Sequence, residues 1–284
     1  MKLSFTYKYQ HICLMKMELK ENNTYKYSNK IKKHKAIFYF LPLLIWIFNL
    51  CDKDGNKKDF IYIPDNTFLE ALLAAGVDSD KDGFISKSEA ESTEKLMVAD
   101  RQISDLSGIG YFTNLKELVC NENLLTSIDV SKNVSLEILE MSRNQITNLN
   151  ISNNTELKEL WCHDNHISEL NISNQKLLEL LYCSGNQISE LDVSQNSGLQ
   201  YLFTGGNPLE ALDVTNLKVL KQLNCSGNPL QTLNLSLNSA LTAIYLFSMP
   251  DLSEVCVWTE PFPPEGVYVV TDGSPNVYFT TNCK

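Results

Sequence analysis

The chain has 284 residues, of which 43% are hydrophobic, and it carries a formal net charge of −10. This apolar content is that of a folded protein and excludes a chain that is disordered throughout. Residues 1–50 hold nine Lys and two acids, whereas the remainder holds 15 Lys and Arg against 32 Asp and Glu. The acidic remainder lacks the basic surface that phosphate binding requires, so a nucleic-acid partner is not expected.

A basic segment followed by an apolar segment closes the first 50 residues. KIKKHK at 30–35 precedes AIFYFLPLLIWIFNL at 36–50. This run is too short to span a bilayer as a helix, but it matches the apolar core of a secretory signal. We therefore predict an N-terminal extension and signal sequence over 1–50, and an exported protein.

Cys51 directly follows the apolar core and resembles the acylated cysteine at the processing site of bacterial lipoproteins. The resemblance implies that a lipid on Cys51 is the membrane attachment, at the outer membrane or cell surface. Asn49 and Leu50 depart from the small residues typical of such sites, so a plain signal peptide and a retained anchor stay as alternatives. DKDG at 52–55 resembles the acidic export signals of Bacteroidetes lipoproteins and is equally compatible with a polar tether, predicted over 51–64.

The stretch DSDKDGFISKSE at 78–89 matches the full pattern of an EF-hand calcium loop. Acids occupy positions 1, 3, 5 and 12, and Gly83 at position 6 permits the sharp turn. A hard cation prefers oxygen ligands, which carboxylates, a hydroxyl and a backbone carbonyl supply here. The alternative is an acidic turn that retains no metal. The predicted Ca²⁺ ligands are Asp78, Asp80, Asp82, the carbonyl of Phe84, Ser86 and Glu89.

The segments flanking this loop are predicted to be helices over 66–77 and 87–99. Because one loop is present where EF-hands usually pair two, we expect a weak, structural calcium site. The helical, EF-hand-like cap over 65–102 would shield the exposed core at the start of a repeat array.

The chain then repeats itself with a period of 21 residues. Each copy places apolar residues at the same points of one coil, and a single coil cannot bury them, so neighbouring coils must stack. An Asn before each new copy is predicted to be structural, because its amide can satisfy backbone groups where the chain leaves a strand. The copies start at Leu125, Ile146, Ile167, Ile188, Leu209 and Leu230, and the Asn residues are Asn123, Asn144, Asn165, Asn186, Asn207 and Asn228.

This pattern, L-x-x-L-x-L-x-x-N-x-L alternating with L-x-x-L-x-[VI]-S-x-N, resembles the 21-residue bacterial form of the leucine-rich repeat family, including the internalin class of surface proteins. The resemblance covers 103–250. It implies an α/β solenoid with parallel β-strands on the concave face, between the helical N-terminal cap and a β-rich C-terminal cap over 251–284.

One segment, WCHDNH at 161–166, contains the residue types of a metal site. The repeat places Cys162 at an inward, apolar position, and it places His163 and His166 at the edge of the strand. Because a zinc site requires three or four converging ligands, we interpret Cys162 as a small core residue and predict no zinc site.

Aromatic residues recur at the strand position that faces solvent on the concave side. Contiguous exposed apolar surface tends to mark a binding site. The alternative is that aromatics merely suit a β-surface. The predicted ligand-binding residues are Trp161, Tyr182, Phe203 and Tyr245, with Tyr201 and Phe247 on neighbouring rows.

Cys256 and Cys283 flank the last segment, and in an exported protein we predict that they form a disulfide. No catalytic signature is apparent, and the carboxylates are expected at convex and rim positions. The sequence therefore predicts a non-enzymatic, monomeric surface protein that binds a host or neighbouring-cell protein. A glycan-binding module of a polysaccharide-capture system and a purely structural envelope protein are the alternatives.

Overall fold

The computed structural model describes residues 59–283, so the predicted signal sequence, Cys51 and the acidic segment after it lie outside the described residues. Within 59–283, no helix has the length and apolar content needed to cross a membrane. The helices are α1 (Asn66–Ala74), α2 (Lys87–Ser92) and a 3-10 helix (Ile109–Tyr111). The strands are β1 (Lys95–Met97), β2 (Glu117–Val119), β3 (Ile138–Glu140), β4 (Glu159–Trp161), β5 (Leu180–Tyr182), β6 (Tyr201–Phe203), β7 (Gln222–Asn224), β8 (Thr232–Asn234), β9 (Ala243–Tyr245), β10 (Glu254–Cys256), β11 (Tyr268–Val270) and β12 (Tyr278–Thr280).

Nine of these strands form one parallel sheet, in the order β1-β2-β3-β4-β5-β6-β7-β9-β11. Equivalent residues of successive coils face each other, so that Leu139 of β3 lies opposite Leu118 of β2 and Leu160 of β4. Parallel neighbours need a crossover connection, and the remainder of each 21-residue copy supplies it. A second parallel sheet, β8-β10-β12, is built from the last coils. The predicted α/β solenoid is confirmed, with about nine turns.

The middle residue of each repeat strand points into the core. Leu160 is fully buried, whereas Glu159 and Trp161 on either side of it are half-buried, as the pleat of a strand requires. Each buried Leu or Ile side chain contributes about 1.5–3 kcal/mol of hydrophobic stabilisation, which is realised only when coils stack. The resulting row of residues, all without solvent exposure, is Leu118, Leu139, Leu160, Leu181, Leu202, Leu223 and Ile244.

The side-chain amide of the Asn after each repeat strand provides hydrogen-bond partners for backbone groups of its own coil and the preceding one. The Nδ2 of Asn165 donates to the carbonyl oxygens of Cys162 and Met141, both at 3.1 Å, and its Oδ1 accepts from the N–H of Ile146 at 3.0 Å. The side chain is 4% exposed, so each of these backbone groups would otherwise be buried without a partner. The predicted structural role of the Asn residues is confirmed.

The helical cap is shorter than predicted, because α2 ends at Ser92 instead of continuing to residue 99. The hydroxyls of Ser92 and Thr93 donate to the carbonyl of Glu89, at 2.9 and 2.8 Å, and this closes the helix. Leu96 then takes the inward position opposite Leu118 of the next coil. The sheet therefore begins inside the segment assigned to the cap, since burying Leu96 against the stack outweighs helix propensity here.

The predicted tether over 51–64 is also too long at its C-terminal end. Ile61 and Ile63 are buried, the N–H of Ile61 donates to the carbonyl of Ile85 at 2.9 Å, and Phe60 pairs with Ser86 in an antiparallel bridge. Residues 59–64 thus pack on the cap as a strap.

The array continues past residue 250, where the 21-residue period is lost. β11 joins the main sheet beside β9, and β10 and β12 pair in the second sheet, so the C-terminal cap is β-rich as predicted. Cys256 and Cys283 form a disulfide with Cα atoms 5.4 Å apart. It links β10 to the chain just beyond β12.

Candidate functional site

The concave face of the main sheet carries a continuous aromatic run. Trp161, Tyr182 and Phe203 lie opposite one another on adjacent strands. The centroid distance is 5.7 Å between Trp161 and Tyr182 and 5.2 Å between Tyr182 and Phe203, and both pairs are tilted by 53°. All three side chains are half-buried, so each keeps a surface that a ligand can reach. We call Trp161, Tyr182 and Phe203 the aromatic run.

The other aromatic residues singled out from the sequence are separated from this run. Asn224 occupies the next position after Phe203 and divides the run from Tyr245. Tyr245 instead contacts Tyr268, with ring centroids 6.0 Å apart. Tyr201 lies on the neighbouring row opposite Leu180, and Phe247, 40% exposed, lies just after β9.

Histidine extends the aromatic run at one side. The ring of His163 lies 4.2 Å from that of Tyr182, and its Nδ1 lies 3.1 Å from Oδ2 of Asp164. Cys162, directly before it in the chain, is fully buried in the core. The side chains of Cys162 and His163 therefore point to opposite faces of the strand, which separates the two strongest metal-ligating residues of the WCHDNH segment.

The inward cysteines of the array are unreactive in their surroundings. Burial raises the pKa of Cys120, Cys183 and Cys225 to about 12, and it raises the pKa of Cys162 well above its usual range. At neutral pH these thiols are protonated, and the thiolate that would act as a nucleophile or metal ligand is scarce.

Two carboxylates lie beside the aromatic run. Glu140 of β3 lies directly opposite Trp161, and Glu159 precedes Leu160 on the same strand as Trp161. Oε2 of Glu159 accepts from the indole Nε1–H of Trp161 at 3.1 Å.

The acidic loop before the sheet has a compact arrangement. Asp78, Asp80 and Asp82 each offer a carboxylate oxygen within 4.8 Å of the others. The N–H of Gly83 donates to Oδ2 of Asp78 at 2.8 Å, and Gly83 has φ of 86°, which only glycine adopts readily. This oxygen-rich cluster fits a hard cation such as Ca²⁺.

Glu89 is not part of this three-acid cluster, and both of its oxygens accept from serines. One oxygen accepts from the N–H and hydroxyl of Ser79, at 2.8 and 2.9 Å, and the other accepts from the N–H and hydroxyl of Ser86, at 2.9 and 2.8 Å. Burial alone would raise the pKa of Glu89, but these hydrogen bonds outweigh it and lower the pKa. Because the pKa is below its unfolded value, the stabilisation from Glu89 is present at neutral pH and is lost as the pH falls through the lowered pKa.

Phe84 lies in the same loop between the acids and Ser86. Its N–H donates to Oδ1 of Asp82 at 3.0 Å, and its ring lies 5.0 Å from that of Phe60. The ring contact fastens the strap 59–64 to the acidic loop.

Comparison with solved structures identifies the architecture. Internalin inlF from Listeria monocytogenes is 24% identical, with a TM-score of 0.63 over 77% of this chain and 71% of its own. Internalin C2 from the same species is 20% identical, with a TM-score of 0.60 over 76% of this chain and 94% of its own. The chain has the leucine-rich repeat fold.

The same leucine-rich repeat fold occurs in the plant peptide hormone receptor RGFR1, solved in complex with RGF2. That receptor is 20% identical, with a TM-score of 0.52 over 67% of this chain. The chain spans 36% of the receptor's length, so the two share a repeat array and not a whole architecture. No protein-family model and no curated protein matches the chain.

Sequence reasoning missed a second amide ladder of the leucine-rich repeat array. The Nδ2 of Asn154 donates to the carbonyls of Val130 and Asn133 in the preceding coil, at 3.0 and 2.9 Å. The signal was present in the S-x-N part of the copies, where an amide recurs at 21-residue intervals except at Leu217. The members, all fully buried, are Asn133, Asn154, Gln175, Asn196 and Asn238.

A second missed residue is Asp65, which joins the cap to the repeat array. Oδ1 of Asp65 caps α1 by accepting from the N–H groups of Thr67 and Phe68, while Oδ2 accepts from Ser104 and from the N–H of Asp105. Nothing in the local sequence indicates the second set of contacts, because its donors lie about 40 residues away.

Proposed function

We propose that the chain is a non-enzymatic, exported binding protein whose concave face holds a protein partner. The observation that carries this proposal is the aromatic run of Trp161, Tyr182 and Phe203, which is continuous, half-buried and outside the core. Rigid aromatic side chains are enriched among the residues that dominate binding energy. RGFR1, which shares the fold, was solved in complex with RGF2, and this supports a protein or peptide as the ligand class.

A glycan is the second candidate ligand, and the ring geometry supports it less. Sugar rings stack on the flat faces of aromatic side chains. Both neighbouring pairs of the aromatic run are tilted by 53°, so their faces do not form one plane. Because each sugar ring stacks its C–H face on one aromatic face, rings tilted by 53° give a run of linked sugars no continuous stacking surface.

The test is a binding survey with the full chain. The chain and a Trp161→Ala/Tyr182→Ala/Phe203→Ala variant are applied to a panel of cell-surface proteins and to a glycan array. We expect a protein ligand whose affinity falls at least about 100-fold in the variant, because each lost aromatic anchor costs about 1–2 kcal/mol or more. Since the three side chains project from the sheet and not into the core, the variant should melt within about 5 °C of the wild type.

The matched control replaces an exposed apolar residue elsewhere, Leu237→Ala, which is 52% exposed. This change should leave binding unaltered. A ligand that binds the triple variant as tightly as the wild type would place the function away from the concave face. No ligand in either collection would favour a purely structural envelope role.

We further propose that the acidic loop binds Ca²⁺ and stabilises the N-terminal cap. Asp78, Asp80 and Asp82 would supply the first carboxylate ligands, and the Phe84 carbonyl, Ser86 and Glu89 would complete the set if Glu89 exchanges its serine hydrogen bonds for the ion. The bridge between Phe60 and Ser86 supports the proposal, because it gives the loop the strand partner that a second EF-hand loop normally provides.

Calcium at 10 mM is expected to raise the free energy of unfolding by about 1–3 kcal/mol, given a dissociation constant of about 10⁻⁴ to 10⁻³ M. Asp78→Asn and Glu89→Gln should each remove most of this increment. Thermal melts with and without calcium measure it, and Glu91→Gln, a partly exposed acid on α2 that pairs with Lys87, serves as the control. An increment that is unchanged in both loop variants would show that the ion binds elsewhere.

We also propose that a lipid on Cys51 anchors the exported chain. In cells that express the Cys51→Ala variant, the protein should move from the membrane fraction to the soluble exported fraction. A Cys225→Ala strain, which loses a free thiol and keeps the Cys256–Cys283 bridge, controls for the general effect of losing a thiol. Retention of the Cys51→Ala protein in the membrane would rule out acylation as the anchor.

A further inference from the structure

Some acidic side chains on the concave side form ion pairs with lysines, and others do not. Near one edge of the sheet, Lys158 pairs with Glu137 at 2.6 Å and Lys95 pairs with Glu117 at 2.7 Å. Glu140 and Glu159 beside the aromatic run differ, because within residues 59–283 neither carboxylate has a cationic nitrogen within 4.0 Å. Two carboxylates therefore border Trp161, and among residues 59–283 no Lys or Arg pairs with either of them.

The two carboxylates belong to residues that neighbour Trp161 in the sheet. Glu140 lies across from Trp161 on the preceding strand, which places it about 4.8 Å away in the direction along the stack. Glu159 lies on the same strand as Trp161, and its Oε2 is fixed by the indole N–H at 3.1 Å. Trp161 thus presents a π-face beside two hydrogen-bond acceptors, which is the combination that binds a guanidinium or ammonium group.

The surroundings of Glu140 disfavour its negative charge in the unbound protein. Burial is the largest cause of a raised pKa, and Glu122 and Glu159 add to it, while His163 opposes it. A ligand cation at this position would relieve the repulsion that the neighbouring acids create.

We propose that this Trp161 site, formed by Glu140, Trp161 and Glu159, takes an Arg or Lys side chain from an extended segment of the partner protein. The inference rests on the proposed function and specifies its partner. Tyr182 and Phe203 receive apolar side chains of the same segment.

The spacing of the strands sets the spacing of the recognised residues. Trp161 and Phe203 are two strands apart, which corresponds to about 9.6 Å. In a polyproline II segment, residues i and i+3 lie on the same face about 9.3 Å apart. The partner segment should therefore carry its basic residue three positions from an apolar residue.

The experiment is selection of a displayed random dodecapeptide library on the full chain, followed by affinity measurement with a selected synthetic peptide. We expect Arg or Lys three positions from an apolar residue to be enriched. Glu140→Gln/Glu159→Gln should weaken binding by about tenfold or more. Glu179→Gln, an exposed acid whose carboxylate accepts from Gln200 at 3.0 Å, should change it less than twofold.

A change in the peptide tests the same contact without altering the protein's fold. Replacing the basic residue by citrulline should cause a similar loss with the wild type and little further loss with Glu140→Gln/Glu159→Gln, because the two changes remove one interaction. If the double variant binds as well as the wild type while the triple aromatic variant does not, the cation inference is wrong and the concave binding face stands. If the library selected on the triple aromatic variant is enriched in the same peptides as on the wild type, both the cation inference and the concave binding face are wrong.

Discussion

Asn165→Ala is expected to lower the free energy of unfolding by about 4 kcal/mol. The substitution removes the acceptor of the Ile146 N–H and the donor to the carbonyls of Met141 and Cys162. Ile146, Met141 and Cys162 have no solvent exposure, so water cannot replace the lost partners. A buried polar group left without a partner costs about 1–3 kcal/mol, and several are left here.

Urea unfolding measured on the full chain checks this effect, with Asn148→Ala as the control. Asn148 belongs to the same copy, which starts at Ile146, and is exposed, and its Nδ2 donates to the neighbouring Thr147 hydroxyl at 3.3 Å. Asn148→Ala should change the unfolding free energy by less than about 0.5 kcal/mol. Equal losses in the two variants would contradict the assignment of the Asn row as the support between coils.

Cys283→Ser is expected to destabilise the C-terminal coils by about 3–4 kcal/mol. The Cys256–Cys283 bridge closes a segment with a sequence separation of 27, and a loop of this length restricts the unfolded chain by an amount of that order. Because each coil of a solenoid contacts only its neighbours, the loss should appear first in β10 and β12. Amide hydrogen exchange of these strands, compared with β3 and β4, measures where the stack opens.

A reductant supplies the matched control for the disulfide. It should lower the stability of the wild type to that of Cys283→Ser and leave the variant unchanged, while Asn282→Ser, at an exposed neighbouring position, behaves as the wild type. Intact mass under non-reducing conditions should show a wild type lighter than the reduced chain by two hydrogen atoms. A wild-type chain that is insensitive to the reductant would mean that the bridge does not form or does not support the cap.

The fold was largely predictable from the sequence. A 21-residue period with apolar residues at fixed points leaves stacking as the physical solution, because one coil cannot bury its own core. The same period placed Leu160 and Cys162 inside and Trp161 outside through the alternation of a strand. The acidic loop was also predictable, because its twelve positions are consecutive in the chain and their spacing can be checked directly in the sequence.

Tertiary structure decided the features that depend on contacts between distant segments. Lys95–Met97 became a strand because Leu96 meets the core beside Leu118, although the local sequence favours a helix. The strap at 59–64 was fixed by its pairing with Ile85 and Ser86, which a local reading takes for a tether.

The candidate site shows the same division. The sequence alone determined that aromatic residues face outwards on successive coils, since period and alternation are properties of the chain. The same period places Glu140 before Trp161 and Asn224 between Phe203 and Tyr245. Only the folded stack decided that Tyr268 joins Tyr245 and that the Glu159 carboxylate accepts from the indole of Trp161. The physical reason is that register between strands places residues about 21 positions apart in contact, and the charge balance of a surface is set by those neighbours and not by the residues adjacent in the chain.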